Sequence, residues 1–355
     1  MIMHPAVTAP VKYCSPGGLN RREAMTGALG AAALAALPTG AQAEIDEISI
    51  ARGFAIPHLP LMIMEHEKLI EKHAAALGRP GVRVDWSSIG GGAVMNDALL
   101  AGSLTFGVAG PPPIITLWAK TRGTPLEVRG LCNESILPLY LNTRNPNVKS
   151  VADFTPSDKI ALGAVKVSIQ AILLQMAAAK QFGDTEYAKL DPLTVGMSSV
   201  DATAAIRSRQ SEINTNFSLA PFQYEELKLP NIHRVLNSYD IMGGRHTYAM
   251  IYTTKAIHDS NPLTVKAFMG AIEEANQIIA NRKDDAVSMY VDITKSKSSR
   301  DDLLAILNDP EISYTTTPKE VMRFANFMHQ VGSIKVKPAN WKDLFFEDVH
   351  QLAGS

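Results

Sequence analysis

The 355-residue chain predicts an α/β fold built as two similar lobes. Three observations lead there. Beyond residue 43, short β-like runs alternate with segments of helical period, the pattern of strands interleaved with helices. The order strand, polar loop, helix, strand, proline-bearing loop occurs twice, once before and once after Asn145. No later stretch approaches the roughly 18 uninterrupted apolar residues of a membrane span.

EISIARG, Glu47 to Gly53, is the first strand, and it runs into Phe54, Pro57 and Pro60. Met62, Leu69, Ile70 and Leu77 then share one helical face that stops at Gly78. VRVDWSSI is the second strand, followed by the triple glycine 90–92 and a helix through Met95, Ala98 and Leu99 to Gly102. LTFGVAG is the third strand, with Pro111 to Pro113 read as a rigid loop after it, and LEVRGL and LPLYLNT are further strands. In the second unit KIALGAV is a strand, and Ser168 caps a helix through Ile169, Ile172, Leu173 and Met176 that Gly183 stops. PLTVGM is a strand, DATAAIRSRQ a helix capped by Asp201, and EINTNFSLAPF a strand entering a loop with proline. YAMIYTT leads back toward the first lobe, and the helix after Asn261 and Pro262 carries Val265, Phe268, Met269, Ile272 and Ile279 on one stripe. TPKE, Thr317 to Glu320, is a capping box for a last helix through Val321, Phe324 and Met328.

The N-terminus is set apart from this fold. Lys12, Arg21 and Arg22 precede an Ala/Leu-rich stretch, Ala24 to Leu37, and GAQA ends at Ala43, the layout of a cleavable export signal. Arg21 and Arg22 in LNRREAM suit a twin-arginine signal, and a basic pair before an apolar run suits an ordinary Sec signal too. With 34 basic and 35 acidic side chains in the whole chain, no basic excess invites nucleic acid. Cys14 lies in the signal, so Cys132 has no partner for an internal disulfide.

The motifs that carry chemistry fall away in turn. The triple glycine is followed by Ala93, Val94 and Met95 instead of Lys-Ser/Thr, and a third spaced glycine is missing, which excludes a P-loop and a dinucleotide fingerprint. EHEKLIEKH would need histidine at Ile70 to be a zincin box, no G-x-S-x-G elbow surrounds Ser168, and Cys132 has no histidine near it in sequence. No catalytic residue, metal ligand or cofactor is expected. In an open α/β sheet, ligands sit beyond the carboxyl ends of the strands. Five such places are Phe54 to His58, Ile89 to Gly92, Ala109 to Pro112, Lys166 to Gln170 and Asn214 to Ser218.

Taken in order, ALLAGSLTFGVAGPPP, VKSVADF, IRSRQSEINTNFSLAP and NPLTVKAFMGAIEEA resemble the exported solute-binding proteins of ABC importers, in the nitrate, sulfonate and taurine branch that includes thiamine-precursor binders. Thr105 and Asn214 stand at usual Asp positions, Ser211 at a usual Gly and Thr215 at a usual Ala. The resemblance implies the type II periplasmic-binding-protein fold: two lobes, each a sheet flanked by helices, joined by two crossing strands, with a solute clamped between them by hinge closure. The expected lobes are 44–143 with 246–355, and 144–245. The expected contacts are Phe54 as apolar wall, His58 as polar handle, Gly91 and Gly92 as backbone donors, and Gly110 and Pro111 as floor. From the other lobe come Ser168 and Ile169 at a helix start and the amides of Asn214 and Asn216, with Lys166, Arg245 or His246 as sources of charge. Helix starts aimed at one cleft favour an anionic organic ligand such as a sulfonate or carboxylate. The expected partners are that small-molecule solute and an ABC permease in the inner membrane, with no nucleic acid, for a periplasmic monomer. Binding or synthesis of a thiamine-pyrimidine precursor, and service to a membrane receptor as a ligand sensor, are the alternatives.

Overall fold

The computed structural model describes residues 44–88 and 92–355; the expected export signal lies outside the described residues. In chain order the elements begin with β1 (Glu47–Arg52), α1 (Leu59–His66), α2 (Leu69–Ala76), β2 (Arg83–Ser88), α3 (Gly92–Leu100), β3 (Gly107–Ala109), α4 (Pro111–Thr121), β4 (Val128–Ile136) and β5 (Tyr140–Thr143). They continue with β6 (Ile160–Leu162), α5 (Ile169–Phe182), β7 (Thr194–Gly196), α6 (Ser199–Arg207), β8 (Thr215–Ser218), α7 (Phe222–Leu227), β9 (His233–Asn237) and α8 (Ser238–Met242). The return holds β10 (Thr247–Thr254), α9 (Lys255–Ser260), α10 (Pro262–Asn281), α11 (Lys283–Thr294), α12 (Arg300–Leu307) and α13 (Val321–Gln330). Among the described residues no helix is long and apolar enough to cross a membrane.

Local chemistry explains most boundaries. Ser168 caps α5 by accepting the Ala171 N–H, and Gly183, at φ +101°, ends it. The single helix expected over 62–77 is two, because Lys68 turns left-handed between α1 and α2. Residues Pro111 to Pro113, read as a loop, are the first turn of α4: the first N–H groups of a helix have no intrahelical acceptor, so proline costs nothing there. The cap of α6 is Ser198, which accepts the Asp201 N–H, so Asp201 sits inside the first turn. Thr317 caps nothing; α13 starts after Glu320, which is left-handed.

Two sheets share one plan. β1 and β2 are parallel, and a parallel bridge from Ile50 to Phe106 ties β1 to the strand that continues as β3. β10 lies antiparallel between β3 and β4, giving the order β2-β1-β3-β10-β4. The second sheet runs β7-β6-β8-β5-β9, with β6 parallel to β7 and β8, and β5 antiparallel between β8 and β9. Each sheet thus receives one antiparallel strand, β5 or β10, that comes next in the chain after the last strand of the other. The sequence boundary at residue 143 would leave β5 with the first lobe, yet all of its pairing is in the second sheet. The chain therefore passes between sheets at 137–139 and 238–246.

Those two passages are tied side by side. Leu139 N–H donates to Ser238 Oγ and Ser238 N–H to the Leu139 carbonyl, both at 2.9 Å. His246, fully buried, bonds Thr247 O through Nδ1 and Ser238 Oγ through Nε2, each at 2.9 Å. Burial holds its pKa down at about 4, so it is neutral near pH 7, with Nδ1–H donating to the carbonyl and Nε2 accepting from the serine.

Candidate functional site

In both sheets the parallel strands aim their carboxyl ends at one place. A cavity of about 400 Å³ lies there, within the range usual for small-molecule sites. After β1 it is walled by Phe54 and His58, along α3 by Met95, and after β3 by Gly110 and Pro113. From the other sheet come Gly163, Ser168 and Gln170 after β6, Met197 to Val200 after β7, and Leu219 and Phe222 after β8. Tyr248, at the start of β10, also lines it.

The expected contacts divide accordingly. Phe54, His58, Gly110, Ser168 and Ile169 all line the cavity. Pro111 is buried at the first position of α4, and the proline that lines the cavity is Pro113, two residues on. Gly91 lies outside the described residues, and Gly92 opens α3. Asn214 and Asn216 are elsewhere, because β8 runs toward the cleft, Asn216 lies in its first half and Asn214 just before it. Asn214 Nδ2 donates to Asp158 Oδ1 at 2.7 Å and faces a separate surface hollow with Arg144 and Asn231. Asn216 Nδ2 donates to buried Glu226 Oε1 at 2.7 Å. The position that does reach the cleft beyond β8 is Leu219 to Phe222, and sequence reading also missed the whole β7–α6 corner.

Charge is scarce. None of the described lining residues is Lys, Arg, Asp or Glu. Of the three expected sources of charge, His246 is neutral in the interior, Arg245 Nη2 bonds Ser313 Oγ, and Lys166 is absent from the lining. What the cavity does offer are donors at helix starts. The N–H groups of Ile169 and Gln170 on α5, and of Ser199 and Val200 on α6, have no intrahelical acceptor and carry the positive end of the helix dipole. α4 contributes less, since Pro111, Pro112 and Pro113 have no N–H to give.

One polar pair stands behind the wall. His58 Nδ1 lies 2.9 Å from Oε2 of Glu134, a β4 residue with no exposed surface. Burial pushes the Glu134 carboxyl up, and His58 beside it pulls it back only in part. Glu134 Oε1 has no hydrogen-bond partner among the described residues. The His58 ring packs on Gly53, where a Cβ would fall 2.3 Å from Cδ2 and 2.6 Å from Nε2, so only glycine admits it. The Tyr248 ring meets it edge-on with centroids 6.0 Å apart.

No family model matches this sequence, and no curated protein matches it. Solved structures do. The alkanesulfonate-binding protein SsuA from Xanthomonas axonopodis pv. citri bound to MOPS is similar, with TM-score 0.64, 17% identity, and coverage of 82% of this chain and 94% of that one. The periplasmic aliphatic sulphonate-binding protein SsuA from Escherichia coli gives 0.63 and 17%, over 88% and 95% of the two chains. The periplasmic nitrate-binding protein NrtA from Synechocystis PCC 6803 gives 0.64 and 16%, over 87% and 90%. At such identities the likeness speaks for the backbone: the chain has the two-lobed α/β fold of periplasmic binding proteins.

Proposed function

We propose that this protein is the extracytoplasmic solute-binding component of an ABC importer, capturing a small organic acid in the cleft. One observation carries the reading: a single cavity is walled by the loops beyond the carboxyl ends of strands in both sheets, so a bound solute touches both lobes at once. Such a solute favours the closed arrangement by the contacts it makes only there, and a permease then distinguishes loaded from empty protein by shape. The paired passages at 137–139 and 238–246 are where a hinge would act. The role is binding without chemistry: Ser168 and Ser198 use their oxygens to cap α5 and α6. The signal-like residues 1–43 support export to the periplasm, and the sulfonate- and nitrate-binding neighbours support an anion as cargo.

The test is a melting-temperature screen of wild-type protein against carboxylates, sulfonates, nitrate and pyrimidines. At 100 times its Kd a true ligand adds about 2.7 kcal/mol, which raises the melting temperature of a chain this size by about 5 °C. At least one organic acid is expected to do so; no shift with any compound contradicts the proposal.

A further inference from the structure

Resting on that reading, we propose that the cleft selects organic acids with a ring or hydrocarbon body, and that His58, oriented from behind by Glu134, receives the carboxylate. Three independent features of the molecule converge on this.

The first is the distribution of apolar surface. Large hydrophobic side chains left exposed include Phe54, Val94, Val165, Val167 and Val200, between 43% and 61% exposed. Phe54, Val167 and Val200 line the cavity, while Val94 and Val165 adjoin the lining residues Met95 and Ala164. Apolar surface gathered at a concave mouth, from both lobes, is surface that an apolar body and closure together remove from water. A small inorganic anion would leave most of a cavity of about 400 Å³ unfilled.

The second is the kind of polar group within reach. The described lining holds no fixed cation to offset the desolvation of a small, fully charged inorganic anion, so the polar help on offer is a few directed N–H groups. Arg52, the nearest guanidinium along the chain, is turned to Glu65 and lies 5.8 Å from the Phe54 ring centroid. One carboxylate can be met by the amides opening α5 and α6 and by one ring nitrogen.

The third is the state of that nitrogen. With Nδ1 engaged by Glu134, Nε2 is the atom of His58 left to meet a ligand. In the neutral ring whose Nδ1–H donates to Glu134, Nε2 offers a lone pair, which repels a carboxylate. In the imidazolium it offers an N–H. Where the Glu134–His58 pair begins with a single proton, on Nδ1, capture of an anion brings a second proton to the pair and leaves Nε2 presenting an N–H to the ligand. The other titratable groups around the ring are Tyr248 on β10 and Tyr314 before α13, both held protonated by burial. The α5 and α6 side brings Ser168, Gln170 and Ser198.

Isothermal titration in two buffers of different ionisation enthalpy tests this with benzoate, 4-toluate, toluenesulfonate, taurine and nitrate. Wild type is expected to bind benzoate or 4-toluate with proton uptake, and taurine and nitrate at least tenfold more weakly. His58→Gln is expected to lose about tenfold or more of the benzoate affinity, equivalent to about 1.4 kcal/mol. Glu134→Gln keeps an acceptor for Nδ1–H but removes the charge; it is expected to weaken binding and abolish proton uptake, with circular dichroism confirming the fold. Taurine or nitrate binding without benzoate overturns the ligand class and leaves the solute-binding reading standing. Benzoate binding equally to wild type and His58→Gln overturns the assignment of His58, and unchanged proton uptake in Glu134→Gln overturns that of Glu134. Silence from all five compounds, together with a silent melting screen, removes the solute-binding reading itself.

Discussion

Replacing Glu226 with alanine is expected to lower the unfolding free energy by about 3 kcal/mol or more, the largest single-residue effect on stability foreseen for this protein. Glu226 has no exposed surface and collects four side-chain donors. Thr203 Oγ1 and Ser218 Oγ donate to Oε1 at 3.1 Å, Asn216 Nδ2 to the same oxygen at 2.7 Å, and Asn142 Nδ2 to Oε2 at 2.8 Å. These donors come from α6, β8 and β5, so one α7 carboxylate ties three elements of the second lobe. Burial pushes its pKa up and the four donors act against that shift. Alanine removes a buried carboxylate, which returns some free energy, but strands four donors that each cost about 1–3 kcal/mol when left unpaired. Thermal denaturation is expected to show a fall of about 6 °C or more. Glu226→Gln, whose amide nitrogen would face the Asn142 donor while Oε1 still accepts, is expected to lose about half as much. An alanine variant as stable as wild type would mean that the network does not hold the lobe.

Gly53→Ala is expected to weaken solute binding about tenfold or more and to destabilise the protein by about 3 kcal/mol. A Cβ 2.3 Å from His58 Cδ2 is closer than side chains pack, so the ring must swing away. Its departure leaves Glu134 buried with neither oxygen paired, and a buried polar group stranded in this way costs about 1–3 kcal/mol, more when it is charged. The effect runs through one ring, which a double-mutant cycle detects: with His58→Ala already present, adding Gly53→Ala is expected to cost under about 0.5 kcal/mol. Additive losses would place the role of Gly53 in the backbone instead.

The sequence was most informative where a rule is local. Ser168 and Gly183 bracket α5 as their chemistry requires, and the alternation of EISIARG is β1. It was least informative where a tertiary relation decides. Three prolines read as a loop are a helix start because first-turn amides need no partner, and only the helical run from Ile114 to Thr121 makes that turn a first turn. Asn214 and Asn216 sit on the strand expected to reach the cleft, but distance from the carboxyl end of β8, invisible without a register, turns them toward Asp158 and Glu226. Glu134 carried no signal at all: a glutamate in NES reads as surface until β4 is seen covered on both faces. His58 was legible as a handle because it comes soon after the end of the first strand; the carboxylate that gives it direction lies 76 residues away in sequence.

The most direct test of a cleft shared by both lobes is a crystal structure grown with the solute that binds most tightly in the screen. Density for that solute is expected between Phe54 and His58 on one side and Ser168 and Val200 on the other, with its acidic group against the starts of α5 and α6. Density confined to one lobe, or seated instead in the hollow beside Arg144 and Asn214, would contradict that claim.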